Sequence, residues 1–488
     1  MLCGRLPRGP AVFSCPVFIL LPRPPPEQQG IAYGRIFPDN PPSGGRPDTP
    51  YQKGVIPLKP YTRGVVLPFQ KGDALKNPIE TFTPTTPVRV PLTHPSETGD
   101  TLPLTLAADS RIRTGDCLFD AGGSEAPALA TVTGTLSGTV VLTHPQYGEL
   151  LCAELHPDTK APAEPDAAPA AETDPAAAPA LTAQEILDTA RRAAIYDELD
   201  GALLAEKLKS WQLPADDPAA QRSILVADAT ENDIFGSASW AVLEETPDEV
   251  LQGLQLAARA LHFTRYHIAA MLPKKRRRAL KRAVGREYVY TTDNRYPVTV
   301  FADGGAEVFR IGVQACAALF RAVTAGEAAT GIVVTVAGDG VSVSRNLRVP
   351  YGTDVGELLA HCGMDPEAQA VLGDAMTGVA CPDTHTPLLP GVTAVLALLH
   401  PNDRRPEPCM GCGRCAVVCH AGLLPYEIVR RLENMHYERL QHLSAQECDG
   451  CGACSYVCPA GRQVAAEVLA AGENQGTMLI HWGDESDE

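Results

Sequence analysis

The sequence predicts an α/β protein of several domains, and three observations carry that prediction. Strand-like and helix-like runs alternate between residues 182 and 330, the pattern of a parallel sheet with its connecting helices. β-branched runs punctuated by glycine lie on both sides of that stretch, as β-rich domains require. Near the C-terminus stand two cysteine quartets of identical spacing. A chain of 488 residues has room for about three domains on the usual relation of length to domain number.

Composition narrows the class. A hydrophobic content of 44% is globular, and a net charge of −17 argues against general nucleic-acid binding. No run of 18 apolar residues occurs, so no transmembrane helix is expected. Arg5 and Arg8 precede an apolar stretch from Ala11 to Leu21, but Pro16 interrupts it and no small-x-small cleavage site follows. Residues 1–60 are rich in Pro and Gly without periodicity. They read as a disordered or spurious N-terminal extension.

From residue 61 to 155 the runs VRVPLTH, RIRTGDCLFDAG and TVTGTLSGTVVLTH predict short strands. An Ala/Pro-rich linker follows at 156–181. The α/β domain is expected over 182–330. It opens with a helix whose N-cap is Thr182 and whose capping-box partner is Glu185. SILVADA reads as a buried strand, and 246–263 as an amphipathic helix with Val250, Leu254, Ala257, Ala258 and Leu261 on one face. YHIAAML and YVYTT read as strands on either side of a basic helix, 274–282. Residues 331–400 turn β-rich again, around the short helix GELLAHCG. The last domain, 401–465, carries the cysteines and a helical stripe of Ile428, Leu432, Met435 and Leu443. Residues 466–488 form a tail.

The cysteines carry the chemistry. Cys409, Cys412, Cys415 and Cys419 form C-x2-C-x2-C-x3-C, and Cys448, Cys451, Cys454 and Cys458 repeat it with Pro459 behind. This is the bacterial two-cluster ferredoxin pattern, in which the fourth cysteine of each motif serves the other cluster. One [4Fe–4S] cluster is thus expected on Cys409, Cys412, Cys415 and Cys458, the other on Cys448, Cys451, Cys454 and Cys419. Zinc uses paired C-x2-C units and needs no third cysteine three residues on. Disulfides need an oxidising compartment, whereas such clusters are assembled in a reducing one. His420 stands where the first motif would carry proline. With Cys419 already filling the ligand position, a role beside the cluster or facing solvent is expected. Cys3, Cys15, Cys117, Cys152, Cys316, Cys362 and Cys381 have no metal spacing and read as small buried apolar residues.

The order of these parts resembles the C subunit of Rnf-type ion-translocating electron transport complexes, from about Arg63 to Val464. The resemblance is carried by RGVVLPFQKGDALKNPIE with VPLTH, RIRTGDCLFDA, TLSGTVV, VTVAGDGVSVSRNLRVPYGTDVGELLAHCG, LGDAMTGVACPDTHTPLLPGVTAVLALL and CMGCGRCAVVCHAGLLP. It implies a barrel-sandwich hybrid domain at 61–155 and a Rossmann-like flavin/NADH-type domain at 182–330. It further implies a β-grasp (SLBB) module at 331–400 and a helical two-cluster ferredoxin-like domain at 401–465.

One stretch departs from the family. Its members place a Gly-rich loop after the first helix to cradle the flavin phosphate and the nicotinamide nucleotide. Here AAIYDELDGALLAEKL retains only Gly201, with Asp197, Glu198 and Asp200 where a phosphate needs donors. The acidic flavin motif is altered to VADATENDIFGSASW, and FADGGAE (301–307) is the only other glycine pair nearby, which reads as a turn. FMN and NADH binding are therefore expected to be lost.

The basic run of Lys274, Lys275, Arg276, Arg277, Arg278, Lys281 and Arg282 reads either as a solvated helix face or as a docking patch for an acidic partner such as ferredoxin or flavodoxin. The function expected is an iron–sulfur electron-transfer subunit. It would relay electrons between a soluble redox partner and the other subunits of a membrane or soluble reductase complex. The competing reading is a flavin-dependent NADH dehydrogenase subunit of an Rnf-type or of a cobalamin or proline reductase system. A cofactor-free scaffold is the third, and the cysteines argue against it. The place expected is the cytoplasm, peripheral on the inner membrane through partner subunits.

Overall fold

The computed structural model describes residues 58–60, 63–92, 104–120, 122, 126–158, 181–214, 216–231, 233–292, 295–297, 300–302, 307–399, 405–436, 440 and 442–472. The extension up to 57, the linker from 159 to 180, the centre of FADGGAE and the tail beyond 472 lie outside them.

The first described strands do not form a unit of their own. β1 (Leu58–Pro60), β2 (Val65–Val66) and β3 (Glu80–Thr81) each pair with a strand from far along the chain. The sequence leads one to expect a β domain from residue 61, but its sheet begins at β4 (Val88–Pro91). The preceding residues are drawn away because their hydrogen-bonding edges find partners elsewhere. β5 (Arg111–Ile112), β6 (Cys117–Phe119), β7 (Ala128–Leu129), β8 (Gly134–His144) and β9 (Gly148–Pro157) complete the unit. An antiparallel sheet runs β4-β9-β8-β5, with β6 and β7 as a separate pair. The core of the unit buries Val88, Ile112, Leu118, Leu136 and Leu155. Cys117 is exposed, unlike the other described cysteines outside the two quartets: in β6 it falls on the face opposite buried Leu118.

The α/β unit opens with α1 (Ala183–Arg192), where Thr182 and Glu185 make the expected capping box. α2 (Leu204–Trp211) and α3 (Pro218–Arg222) lead to β10 (Ile224–Ala229), a strand buried along its whole length. α4 (Ala238–Glu245) and α5 (Pro247–Ala260) follow, then β11 (Arg265–Ala270), α6 (Lys274–Ala283) and β12 (Val289–Thr291). β13 (Arg295–Tyr296) and β14 (Val300–Ala302) are the partners of β2 and β1. β15 (Val308–Gly312) and α7 (Val313–Ala325) close the unit. The sheet order β12-β11-β10-β15 is parallel throughout, as the alternation of strand and helix runs predicts. The expected apolar face of α5 is fully buried.

The next unit is a six-stranded sheet in the order β19-β18-β20-β16-β17-β3. It consists of β16 (Gly331–Ala337), β17 (Arg345–Pro350), β18 (Gln369–Leu372), β19 (Val379–Ala380) and β20 (Ala394–Leu398), with β3 added at its edge. α8 (Val355–His361) packs on one face, its amide of Glu357 held by the Asp354 cap.

The cysteine-bearing unit contains α9 (Arg414–Val418), α10 (Pro425–Glu433) and α11 (Ala453–Tyr456). The expected stripe through Met435 stops short. α10 ends at Glu433, the Asn434 side chain donates to the Arg430 carbonyl, and Met435 adopts φ +53 and is 70% exposed.

Helices α5 and α7 meet at Gly253, where a Cβ would lie 1.8 Å from the Cys316 carbonyl oxygen. Gly253→Ala should therefore destabilise the α/β unit by about 1–3 kcal/mol, the usual cost of overpacking. Gly72→Ala, where a Cβ meets nothing within 4 Å, should leave the thermal unfolding midpoint in place. Equal midpoints for the two variants would refute this packing account.

Candidate metal centre and the adjoining acidic cavity

Both cysteine loops read C-x-G-C-G-x-C. All four glycines, Gly411, Gly413, Gly450 and Gly452, adopt φ of 68–77°, a left-handed conformation that side chains resist. Each loop thereby turns tightly between its cysteines and runs into a short helix, α9 or α11. Cys415 and Cys454 are buried, Cys419, Cys448, Cys451 and Cys458 half-buried, and Cys409 and Cys412 exposed.

Burial raises the thiols of Cys415, Cys419, Cys448, Cys451 and Cys454, that of Cys448 to about 11. Cys415 and Cys454 lie in one small core with Leu423, Ile428 and Val464, against which Cys419, Cys448 and Cys458 pack, so the two motifs meet there. Backbone amides aimed at the sulfurs work the other way: Ala421, Gly422 and Leu423 at Cys419, Gly450 at Cys448, and Ala453 at Cys451. An all-thiol donor set in apolar surroundings, supplied with amide donors to sulfur, fits iron–sulfur ligation. Zinc would need only one such quartet.

The second loop is joined to the rest of the molecule. The Tyr296 hydroxyl donates to the Cys451 carbonyl at 2.6 Å. Val65, Tyr296, Met376 and Ala453 share a small core with Cys451 at its margin.

Tyr296 also lines a cavity of about 360 Å³. Its wall includes Glu198, Asp200, Asp228, Glu231, Asp233 and Asp374. The helix ends that could receive an anion are filled from within. The Glu198 carboxylate accepts the amides of Gln314 at 2.7 Å and Ala315 at 3.0 Å, at the start of α7. Glu231 accepts those of Ser239 and Trp240, at the start of α4. Asp197 accepts the Gly312 amide at 2.9 Å. A Cβ at Gly312 would come within 1.9 Å of the Glu198 carboxylate, which would have to shift to admit it.

The nearby cations are committed as well. Lys207 binds Asp197 at 2.5 Å and Asp200 at 2.7 Å. Lys71, 1% exposed, binds Asp233 at 2.8 Å, and Arg310 binds Asp228 through Nε at 2.6 Å. Burial, reinforced by Asp197, pushes Glu198 up to about 8. Burial raises Glu231 to about 7 despite Lys71. Burial and then Asp233 raise Asp374. Against the same cost, the Arg310 guanidinium holds Asp228 below the usual carboxylate range.

The sequence singles out the eight cysteines, and Asp197, Glu198 and Asp200. It misses Lys71, Tyr296, Arg310 and Asp374, whose roles arise from contacts between distant segments. VADATENDIFGSASW reads as altered, but not as a segment whose Glu231 caps the helix beginning seven residues later. An acidic residue ahead of a serine-rich helix start is the available signal.

Residues 408–462 match the family model of a 4Fe-4S dicluster domain. Curated proteins similar to the chain include the C subunit of the ion-translocating oxidoreductase complex of Rhodobacter capsulatus, 28% identical over 43% of this chain and 45% of its own length. The corresponding C subunit of Serratia proteamaculans is 27% identical over 63% of this chain and 46% of its own. In Clostridium ljungdahlii the similar protein is the C subunit of a proton-translocating ferredoxin:NAD(+) oxidoreductase complex, 24% identical over 50% of this chain and 58% of its own. The chain resembles the C subunit of Rnf-type complexes and carries an iron–sulfur domain in a mixed α/β framework. Its match spans about half the length of these curated relatives. An NAD+-reducing [NiFe]-hydrogenase structure is similar at TM-score 0.39 and 15% identity, over 60% of this chain and 66% of that one, too loosely to support an argument. Among the described residues no helix is long and apolar enough to cross a membrane.

The raised carboxylate fixes a pH dependence. The folded state holds a proton on Glu198 between its ordinary 4.5 and about 8, whereas the unfolded chain does not. This contribution to stability is complete below 4.5 and lost as pH rises through about 8. Thermal unfolding midpoints should fall over that range, and less steeply in Glu198→Gln. Parallel slopes for the two proteins would contradict the assignment.

Proposed function

We propose that the chain is an iron–sulfur electron-transfer subunit of an Rnf-type complex, relaying electrons through two [4Fe–4S] clusters. The carrying observation is the pair of left-handed glycine loops whose cysteines Cys415, Cys419, Cys448, Cys454 and Cys458 gather on one shared apolar core. On this reading Cys409, Cys412, Cys415 and Cys458 hold one cluster, and Cys448, Cys451, Cys454 and Cys419 the other. Each cluster supplies a one-electron couple. The residues around them hold the sulfurs in apolar surroundings and aim amides at them. The second loop, seated on Tyr296, is the inner station, and the first loop, with Cys409 and Cys412 exposed, is the outer one. The three units before it are read as a barrel-sandwich hybrid domain, a Rossmann-like domain and a β-grasp (SLBB) module, with β2 and β3 of the expected first domain paired to strands of the later segments.

A second reading, a flavin-dependent NADH dehydrogenase subunit, is favoured by the cavity's place beside both Tyr296 and Asp228 of β10. Its charges oppose that reading. A phosphate would have to displace Glu198 and Glu231 from amides they already hold, and it would meet no uncommitted cation among Lys71, Lys207 and Arg310.

Partners follow from the relatives' names and from α6. The other subunits of the complex would hold this chain at the membrane, on the cytoplasmic face of the inner membrane. Lys274, Lys275, Arg278 and Arg282 are exposed, whereas Arg276 is turned onto Glu244 and the Leu75 carbonyl. The exposed face suits an acidic redox protein such as ferredoxin or flavodoxin, since local charge dominates within a Debye length of about 8 Å.

Anaerobic reconstitution should give about eight irons per chain, as two cubanes require, and calorimetry should detect no FMN or NADH binding. One zinc per chain without visible absorption would sink the cluster reading, and micromolar FMN binding would favour the dehydrogenase. Lys274→Ser with Lys275→Ser and Arg278→Ser should slow electron exchange with ferredoxin and flatten its salt dependence. An unchanged rate and salt slope would make α6 a solvated face only.

A further inference from the structure

The two cysteine loops are near copies that differ in charge at three places, one of them the exposed Arg414 of the first loop where the second has Ala453. Met410 follows the first cysteine of one loop, and Asp449 that of the other. His420 follows the fourth cysteine of one motif, and Pro459 that of the other. The fold brings His420 and Asp449 together. His420 Nε2 stands 2.7 Å from Asp449 Oδ2, and Asp449 Oδ1 accepts the Cys451 amide at 3.1 Å. The His420 side chain is 17% exposed and that of Asp449 51%, so the imidazole is mostly covered while solvent screens part of the carboxylate's field.

Asp449 follows Cys448 directly, and its carboxylate, the His420 ring nitrogen and the Cys451 sulfur all lie within 4.8 Å of one another. Cys448 and Cys451 are two of the four cysteines assigned to the inner cluster. The corresponding place in the outer loop is the uncharged Met410. Although His420, Asp449 and Cys451 could hold a metal ion by spacing, Cys451 is already a ligand in the loop. The trio is better read as one cluster sulfur with a carboxylate and an imidazole beside it.

We propose that the Asp449–His420 pair sets the reduction potential of the inner cluster apart from that of the outer one. The inference rests on the two-cluster reading above. Cluster potential follows net charge, hydrogen bonds to sulfur and exposure. A carboxylate beside the cluster opposes the added electron and lowers the potential. His420 Nε2 stands 2.7 Å from the far carboxylate oxygen, and when the ring is protonated it offsets part of that charge and raises the potential. Asp449 and His420 are thus tuning residues, acting through the cluster's surroundings without ligating iron.

The test is an EPR-monitored redox titration of the anaerobically reconstituted full-length chain at one fixed pH, with iron and sulfide measured alongside. Asp449→Asn should raise the midpoint of one cluster and leave the other in place. His420→Gln should lower that same midpoint. The affected signal should be the one that Cys451→Ser perturbs. An Asp449→Asn protein of normal iron content whose midpoints stay put, or shift together, overturns the proposal. If Asp449→Asn loses iron, His420→Gln decides alone, and an unmoved midpoint there overturns it. Wild-type protein without iron and sulfide overturns the two-cluster reading itself, and this proposal with it.

Discussion

The burial of Asp197 and Glu198 at the amino end of α7 constrains the centre of the molecule. Two adjacent acidic side chains taken out of water need partners at once, because a buried polar group without a hydrogen bond is costly. They find them in the amides of Gly312, Gln314 and Ala315 and in Lys207. Those contacts fix the turn after α1 against the carboxyl end of the parallel sheet. The neighbouring Tyr196 ring packs edge-on against Tyr351 of the six-stranded unit. The same acidic turn thus holds the α/β unit together, joins it to the next unit, and occupies the helix end that could have received a phosphate.

The second organising element is the segment from Arg63 to Phe82, which belongs to no single unit. β2 pairs with β13, whose Tyr296 reaches the second cysteine loop. Lys71 lies under Trp240 and binds Asp233. The Leu75 carbonyl receives Arg276, and β3 extends the six-stranded sheet. One short stretch thereby ties the iron–sulfur unit, the cavity wall, the basic helix and the distal sheet into one arrangement. Its strands are too short to announce themselves by periodicity, and their partners lie more than two hundred residues away.

This explains what could be read from sequence. Local rules carried far: the Thr182 capping box, the buried face of α5, the alternating α/β stretch and the cysteine spacing each depend on residues within a few turns of one another. The N-terminal strands, β15 with α7, and the Met435 break depend on distant partners or on one left-handed residue. At the site, the acidic turn could be recognised as hostile to phosphate from composition alone. That Glu198 and Glu231 occupy helix amides, and that Lys71, Lys207 and Arg310 are each committed to a carboxylate, required the contacts themselves.

Under the proposed function, the asymmetry between the cysteine loops gives the electron route its polarity. The loops share a sequence plan and a left-handed glycine frame, so the cysteines alone would make two equivalent stations. Their surroundings do not. One loop is covered by Val65, Tyr296 and Met376 and faces the cavity side. The other presents Cys409 and Cys412 to solvent. Exposure and nearby charge both act on cluster potential, and both differ between the loops in ways fixed by residues outside the ligand set. The ligands decide that clusters can be held, while Tyr296, His420 and Asp449 decide which station lies inside and how it differs from the one that meets a partner.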